Sequence, residues 1–136
     1  MRTAIDTSVI LAIWGKEPGY ERWEKALKFA AENGELCICP VVFAEIAAGF
    51  DSANALLEML GSLAISYDEI HPESARLAGL IHLRYRREGG SREHLIPDFL
   101  IAAHAQEQCT RLAAIDRGYL RRYFPRLTLV NVRKSS

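Results

Sequence analysis

Thr3-Ala4-Ile5-Asp6-Thr7-Ser8 opens the chain as a short apolar run that ends on an acid and two hydroxyl residues. The apolar part reads as a strand, and Asp6-Thr7-Ser8 suits the cap of a helix from Val9 to Trp14. The same pattern recurs downstream. Leu36-Cys37-Ile38-Cys39 is a second short strand, and Pro40 then opens a helix from Val41 to near Phe50. Leu63-Ala64-Ile65-Ser66-Tyr67 is a third strand, followed by a long helix from Pro72 whose Ala75, Leu77, Ala78, Leu80, Ile81 and Leu83 keep helical spacing. Leu112-Ala113-Ala114-Ile115 is a fourth, ending at Asp116, and Leu127-Thr128-Leu129-Val130 a fifth. Further helices are predicted from Pro18 to Asn33, near residues 52–60, from Pro97 to Gln108, and from Leu120 to Phe124 before Pro125. Short apolar strands alternating with helices imply an α/β three-layer sandwich, with a mostly parallel sheet covered on both faces.

The chain has 136 residues, the size of a single domain spanning 1–136, and 49% of them are apolar, enough for one core without staples. Its 17 basic and 17 acidic side chains cancel, but unevenly. Residues 1–68 hold 5 basic and 10 acidic side chains; residues 69–136 hold 12 and 7. The later excess is mostly arginine, the side chain best shaped for phosphate, so one flank suits nucleic acid. The opening Met-Arg-Thr-Ala-Ile-Asp lacks the apolar stretch of a secretory leader, and no run approaches the roughly 20 apolar residues of a membrane span. The expectation is a cytoplasmic protein with reduced thiols and no membrane partner. Cys37 and Cys39 read as buried small hydrophobes.

In an open parallel sheet, ligands collect beyond the carboxyl ends of the strands, where strand order reverses. Asp6 and Asp116 both follow strands, although each equally suits a local role, Asp6 as a helix cap and Asp116 in the turn before Arg117-Gly118. Glu45 lies in Val41-Val42-Phe43-Ala44-Glu45-Ile46-Ala47-Ala48 and Asp98 in Asp98-Phe99-Leu100-Ile101-Ala102-Ala103, both apolar helices. Helices apolar all round are mostly buried, so these carboxylates need a partner, a proton or a metal. For Asp98 the helix dipole offers a plainer reason, and for Glu45 a buried pair with one of the later arginines. Four acids on separate elements suit a hard cation such as Mg²⁺ or Mn²⁺. No phosphate-binding Gly-rich loop, G-x-S-x-G elbow or H-E-x-x-H pair competes. His71, His82, His94 and His104 stand at no metal-ligand spacing to one another and read as structural or surface residues.

Asp6-Thr7-Ser8, the acid in Val42-Phe43-Ala44-Glu45-Ile46, Pro97-Asp98-Phe99-Leu100-Ile101-Ala102-Ala103-His104-Ala105 and Asp116-Arg117-Gly118-Tyr119, in this order, resemble the PIN-domain family. The likeness is nearest to its VapC-like toxins of bacterial toxin–antitoxin pairs. It implies a five-stranded sheet in the order 3-2-1-4-5, Mg²⁺- or Mn²⁺-dependent cleavage of RNA, a homodimer and inhibition by a cognate antitoxin protein. By the same likeness Asp6, Glu45, Asp98 and Asp116 are the catalytic and metal-holding acids, supported by Thr7 and Ser8. One position departs from the pattern: Ala114 stands where such proteins often carry Thr or Ser. Arg84, Arg87, Arg92, Arg117 and Arg121 are candidates to guide RNA, or else a solvated basic face. Two other readings stay open: a PIN-like nuclease of general RNA processing without an antitoxin, and a catalytically silent binding module.

Overall fold

The computed structural model describes residues 1–132. In chain order the elements are β1 (Arg2–Ile5), α1 (Thr7–Trp14), α2 (Tyr20–Glu32), β2 (Glu35–Ile38), α3 (Pro40–Ile46), a 3-10 turn (Ala47–Gly49), α4 (Ala53–Ser62), β3 (Ile65–Tyr67), α5 (Pro72–Arg87), α6 (Ile96–Gln108), β4 (Arg111–Ala113) and α7 (Gly118–Tyr123). The four strands run parallel in the order β3-β2-β1-β4. Both faces of the sheet are covered. Leu36 and Ile65 line a groove with Ile10, Leu27 and Leu60 from α1, α2 and α4, whereas Cys37 turns the other way and meets Cys109 at the end of α6. Side chains alternate along a strand, so neighbours in sequence serve opposite layers. That is why β1 and β2 read as unbroken apolar runs.

The expected fifth strand is reduced to a single bridge. Leu129 pairs with Leu112 in the parallel sense, through the Leu112 N–H to the Thr128 carbonyl and the Val130 N–H to the Leu112 carbonyl, each 2.9 Å. The sheet therefore has four strands, with residues 127–130 lying in the fifth strand's place beside β4. The chain reaches this edge only after Pro125 and a tight turn closed by the Leu127 N–H on the Phe124 carbonyl, and two ladder bonds are all that the remaining length makes. The helix expected from Pro18 starts instead at Tyr20, because Gly19 takes a left-handed φ of 88° before it. The helix expected to reach Phe50 ends at Ile46 and tightens into the 3-10 turn. No single helix among the described residues is long and apolar enough to cross a membrane.

Gly34 marks a close approach between β2 and the chain start. A Cβ there would sit 1.8 Å from the Met1 carbonyl oxygen, the same oxygen that accepts the Glu35 N–H at 2.8 Å. Gly34→Ala must push backbone away from backbone, and we expect a stability loss of about 1–3 kcal/mol, the usual cost of overpacking. Urea unfolding checks this; an unchanged midpoint would show that β1 shifts freely.

Candidate active site

The reversal in strand order falls at β1 and β4, and the acids gather beyond the carboxyl ends of these strands. Asp6 leaves β1 with its own N–H bonded to the Ala113 carbonyl at 2.9 Å, which fixes it against the end of β4. Its Oδ2 caps α1 by accepting the Ser8 N–H at 3.1 Å and also accepts the Ser8 hydroxyl. The cap leaves its carboxylate at the carboxyl edge of the sheet, so the two expected roles are compatible. Asp116 lies three residues beyond the end of β4 and is exposed.

Asp98 occupies the third position of α6. The Leu95 N–H donates to its Oδ2 at 3.1 Å, and the Asp98 N–H returns to the Leu95 carbonyl at 3.0 Å. Phe99, fully buried, anchors this turn among Tyr85, Tyr119 and Phe124, with ring centroids 5.2–6.0 Å away. The apolar neighbours of Asp98 are therefore what hold its carboxylate at the crevice.

Glu45 corrects the expectation of a buried acid. It is exposed, as are Ala44 and Ala48, so α3 buries only Val42 and Ile46 and shows a side to solvent. Alanines lengthen the apolar run without requiring burial. Glu45 is paired with no arginine among the described residues; its Oε1 accepts the Thr7 hydroxyl at 2.6 Å. Thr7 and Ser8 thus hold one acid each. Ser8 does more, since its Oγ also accepts the Ile115 N–H at 3.2 Å. This ties α1 to the segment after β4 next to buried Ala114, where the side chain supplies no hydroxyl.

Burial pushes the Asp6 carboxyl up, the Ser8 hydrogen bonds oppose it, and the charges of Asp98 and Glu45 add to the rise, leaving it above the ordinary carboxylate range. Tyr119 sits over the same crevice. Burial, then the charges of Asp6, Asp98, Asp116 and Glu45, push its phenol above its usual range. Both groups feel the charges of Asp98 and Glu45.

His94, read from sequence as structural or surface, belongs to this crevice. Its Nδ1 lies 3.6 Å from Asp98 Oδ2 and its Nε2 3.5 Å from Asp116 Oδ2. Its ring stacks on Tyr119 at 3.8 Å between centroids. The four-residue step from His94 to Asp98 is the only local hint, and the Asp116 contact is long-range. The arginines divide. Arg117 donates to the Val130 carbonyl at 2.8 Å, and Arg84 pairs with Glu88 at 3.8 Å and lies over the Tyr123 ring. Arg87, Arg92 and Arg121 are exposed.

Every donor that faces the crevice from Asp6, Glu45, Asp98 and Asp116 is a carboxylate oxygen. Carboxylate oxygens are the ligands a hard divalent cation takes.

Comparison with known proteins agrees with this architecture. The chain is similar in structure to VapBC2 from Rickettsia felis, solved bound to a DNA fragment from their promoter, with a TM-score of 0.70 and 21% identity over 95% of this chain and 97% of that one. It is similar to FitAcB from Neisseria gonorrhoeae, at TM-score 0.63 and 20% identity over 95% and 96% of the two chains. VapBC-1 from nontypeable Haemophilus influenzae gives 0.70 and 15% over 95% and 96%. No curated protein sequence matches the chain. The sequence profile of the PIN domain matches residues 3–125. With nearly its whole length matched, the chain belongs to the PIN domain family, a family of nucleases that use divalent metal ions.

Proposed function

We propose that the protein is a Mg²⁺- or Mn²⁺-dependent endoribonuclease, the toxin of a toxin–antitoxin pair. The observation that carries this reading is how the acids are held: the adjacent Thr7 and Ser8 hold Glu45 and Asp6, and His94 lies 3.6 Å from Asp98 and 3.5 Å from Asp116. Asp6, Glu45, Asp98 and Asp116 would hold the metal, which when bound polarises the attacking water and neutralises charge at the scissile phosphate.

The chain's own residues prepare that step. Three of the four acids are gripped through one oxygen: Asp6 Oδ2 by Ser8, Glu45 Oε1 by Thr7, Asp98 Oδ2 by the Leu95 N–H. The second oxygen of each is what the crevice offers to a cation. His94 and Tyr119 wall the pocket on the α6 side. Arg87, Arg92 and Arg121, all exposed, would track the RNA backbone; Arg84 and Arg117, already engaged, would contribute less.

An antitoxin partner is supported by the complexes in which the structural relatives were solved. It is supported also by apolar surface left open on this chain. A groove lined by Ile10, Ile13, Trp14, Leu60 and Leu63 runs between α1, α2 and α4, and Leu11, Trp14, Leu57 and Leu63 are exposed around it. Apolar surface of this kind suits a protein partner, a second copy or a helical antitoxin segment.

The test is a brief pulse of expression followed by sequencing of new RNA ends, with growth measured in parallel. Discrete new ends and arrested growth, relieved by a co-expressed partner, are expected; harmless expression with no new ends would end the toxin reading. Within the site, Thr7→Val frees Glu45 from its hydrogen bond. It should raise the Mn²⁺ concentration needed for half-maximal cleavage by about 10–100-fold, the scale of lost support to a ligand, at little cost in saturating rate.

A further inference from the structure

Away from the acids, beneath the other end of α6, a second group of ligand-bearing side chains converges. Cys37 in β2, Asp68 just after β3, His104 in α6 and Cys109 just beyond it each bring one donor atom within 4.8 Å of the others. Cys37 Sγ and Cys109 Sγ lie 3.3 Å apart, and His104 Nε2 lies 2.7 Å from Asp68 Oδ2. His104 follows Asp98 by six residues, roughly 9 Å along the helix, so one helix serves two separate places.

We propose that Cys37, Asp68, His104 and Cys109 form a tetrahedral binding site for Zn²⁺, distinct from the acidic crevice and independent of its chemistry. Two sulfurs, an imidazole nitrogen and a carboxylate oxygen are donors zinc takes, whereas thiolates disfavour Mg²⁺ and Mn²⁺. Zinc bonds of about 2.0–2.3 Å place tetrahedral ligand atoms roughly 3.3–3.8 Å apart. The sulfur pair, about 3.8 Å apart when both bind, and the His104–Asp68 pair, about 3.3 Å, each need to open by roughly half an ångström, within reach of side-chain rotation.

Charge is balanced as well. Two thiolates and a carboxylate carry three negative charges against two on zinc. The third positive charge comes from Arg2, whose Nη2 lies 3.3 Å from Asp68 Oδ1. Cys37 and His104 are 0% and 1% exposed, a setting where unbalanced charge is costly. An outer ring also exists. Gln108 Nε2 donates to Asp68 Oδ2 at 3.2 Å, and Gln108 is itself held by the Ser74 hydroxyl at 2.8 Å. Such support is what keeps metal ligands aimed. With four protein ligands and no open position the site is structural, clamping β2, the end of β3 and α6 together. Each thiol gives its proton to the buffer as its sulfur binds, so one Zn²⁺ releases two protons.

The reduced full chain, titrated with Co²⁺ alone and then with Zn²⁺, tests the site. One Co²⁺ per chain should produce thiolate-to-cobalt charge transfer in the near ultraviolet with the visible bands of a tetrahedral ion. Zn²⁺ should bleach both and raise the melting temperature. Cys109→Ser, at a half-buried position outside α6, should lose the charge-transfer band, and Gln108→Ala should weaken binding by about 10-fold. Asp98→Asn should leave the spectrum unchanged, which separates this site from the crevice. The proposal is overturned if reduced wild type shows no charge-transfer band, if Cys109→Ser keeps it, or if the thiols only form a Cys37–Cys109 disulfide and bind no Co²⁺ once reduced. The wild-type spectrum decides even where a variant fails to fold.

Discussion

Asp98→Asn and Asp6→Asn are each expected to give a folded protein that no longer cuts RNA. The amide preserves local structure: Asn caps a helix about as well as Asp, so Asn at position 6 still accepts the Ser8 N–H and Asn at 98 still accepts from Leu95. What disappears is one negative oxygen facing the crevice. Losing a single preorganised electrostatic contact costs on the order of 10²–10³-fold in rate, and single-turnover assays on a panel of structured RNAs should read at least that. Stability should move the other way. The Asp6 carboxyl is raised in the fold by burial and by Asp98 and Glu45, against the pull of Ser8. An acid that holds its proton more tightly when folded loses stability as pH rises from the ordinary carboxylate range through its raised value, and the deficit persists above it. Asn carries no such deficit. Without metal at neutral pH, Asp6→Asn should melt no lower than the parent, and any advantage should vanish once the pH falls below the ordinary Asp value of about 3.9. Wild-type cutting by either variant would remove that acid from the site.

Metal removal should have the second large effect. EDTA should silence cleavage entirely, and Mn²⁺ in excess should restore it. The Asp6 carboxylate, disfavoured by burial and by the charges of Asp98 and Glu45, is relieved by a bound cation, so Mn²⁺ should also raise the melting temperature of the parent by mass action. The gain should shrink sharply in Asp98→Asn. Cleavage that survives exhaustive chelation would refute a metal role for the crevice.

Much of this arrangement was legible in the residues themselves. Asp6 and Asp116 were placed by the strands before them, because a parallel sheet puts its carboxyl edge to use. Asp98 was visible as an acid opening an apolar helix, and Phe99 behind it turned out to be the anchor. Glu45 was singled out for a burial that the structure does not show, since the alanines around it allow exposure that larger apolar side chains would not. His94 was missed because its link to Asp116 spans distant sequence, and periodicity reports only near neighbours. The same limit hid the meeting of Cys37 with Cys109, 72 residues apart. The last strand was overestimated because a short run such as Leu127-Thr128-Leu129-Val130 looks alike whether it forms a ladder or a single bridge.

That bridge has a consequence for how the molecule behaves in company. Main-chain amides along an open sheet border are a template for other chains, and long, flat borders invite accretion. Here one border is β3, three residues long, and the other is capped by residues 127–130 through two bonds from Leu112. Among the described residues little unpaired backbone is offered on either flank, so association is left to side chains such as those of the apolar groove.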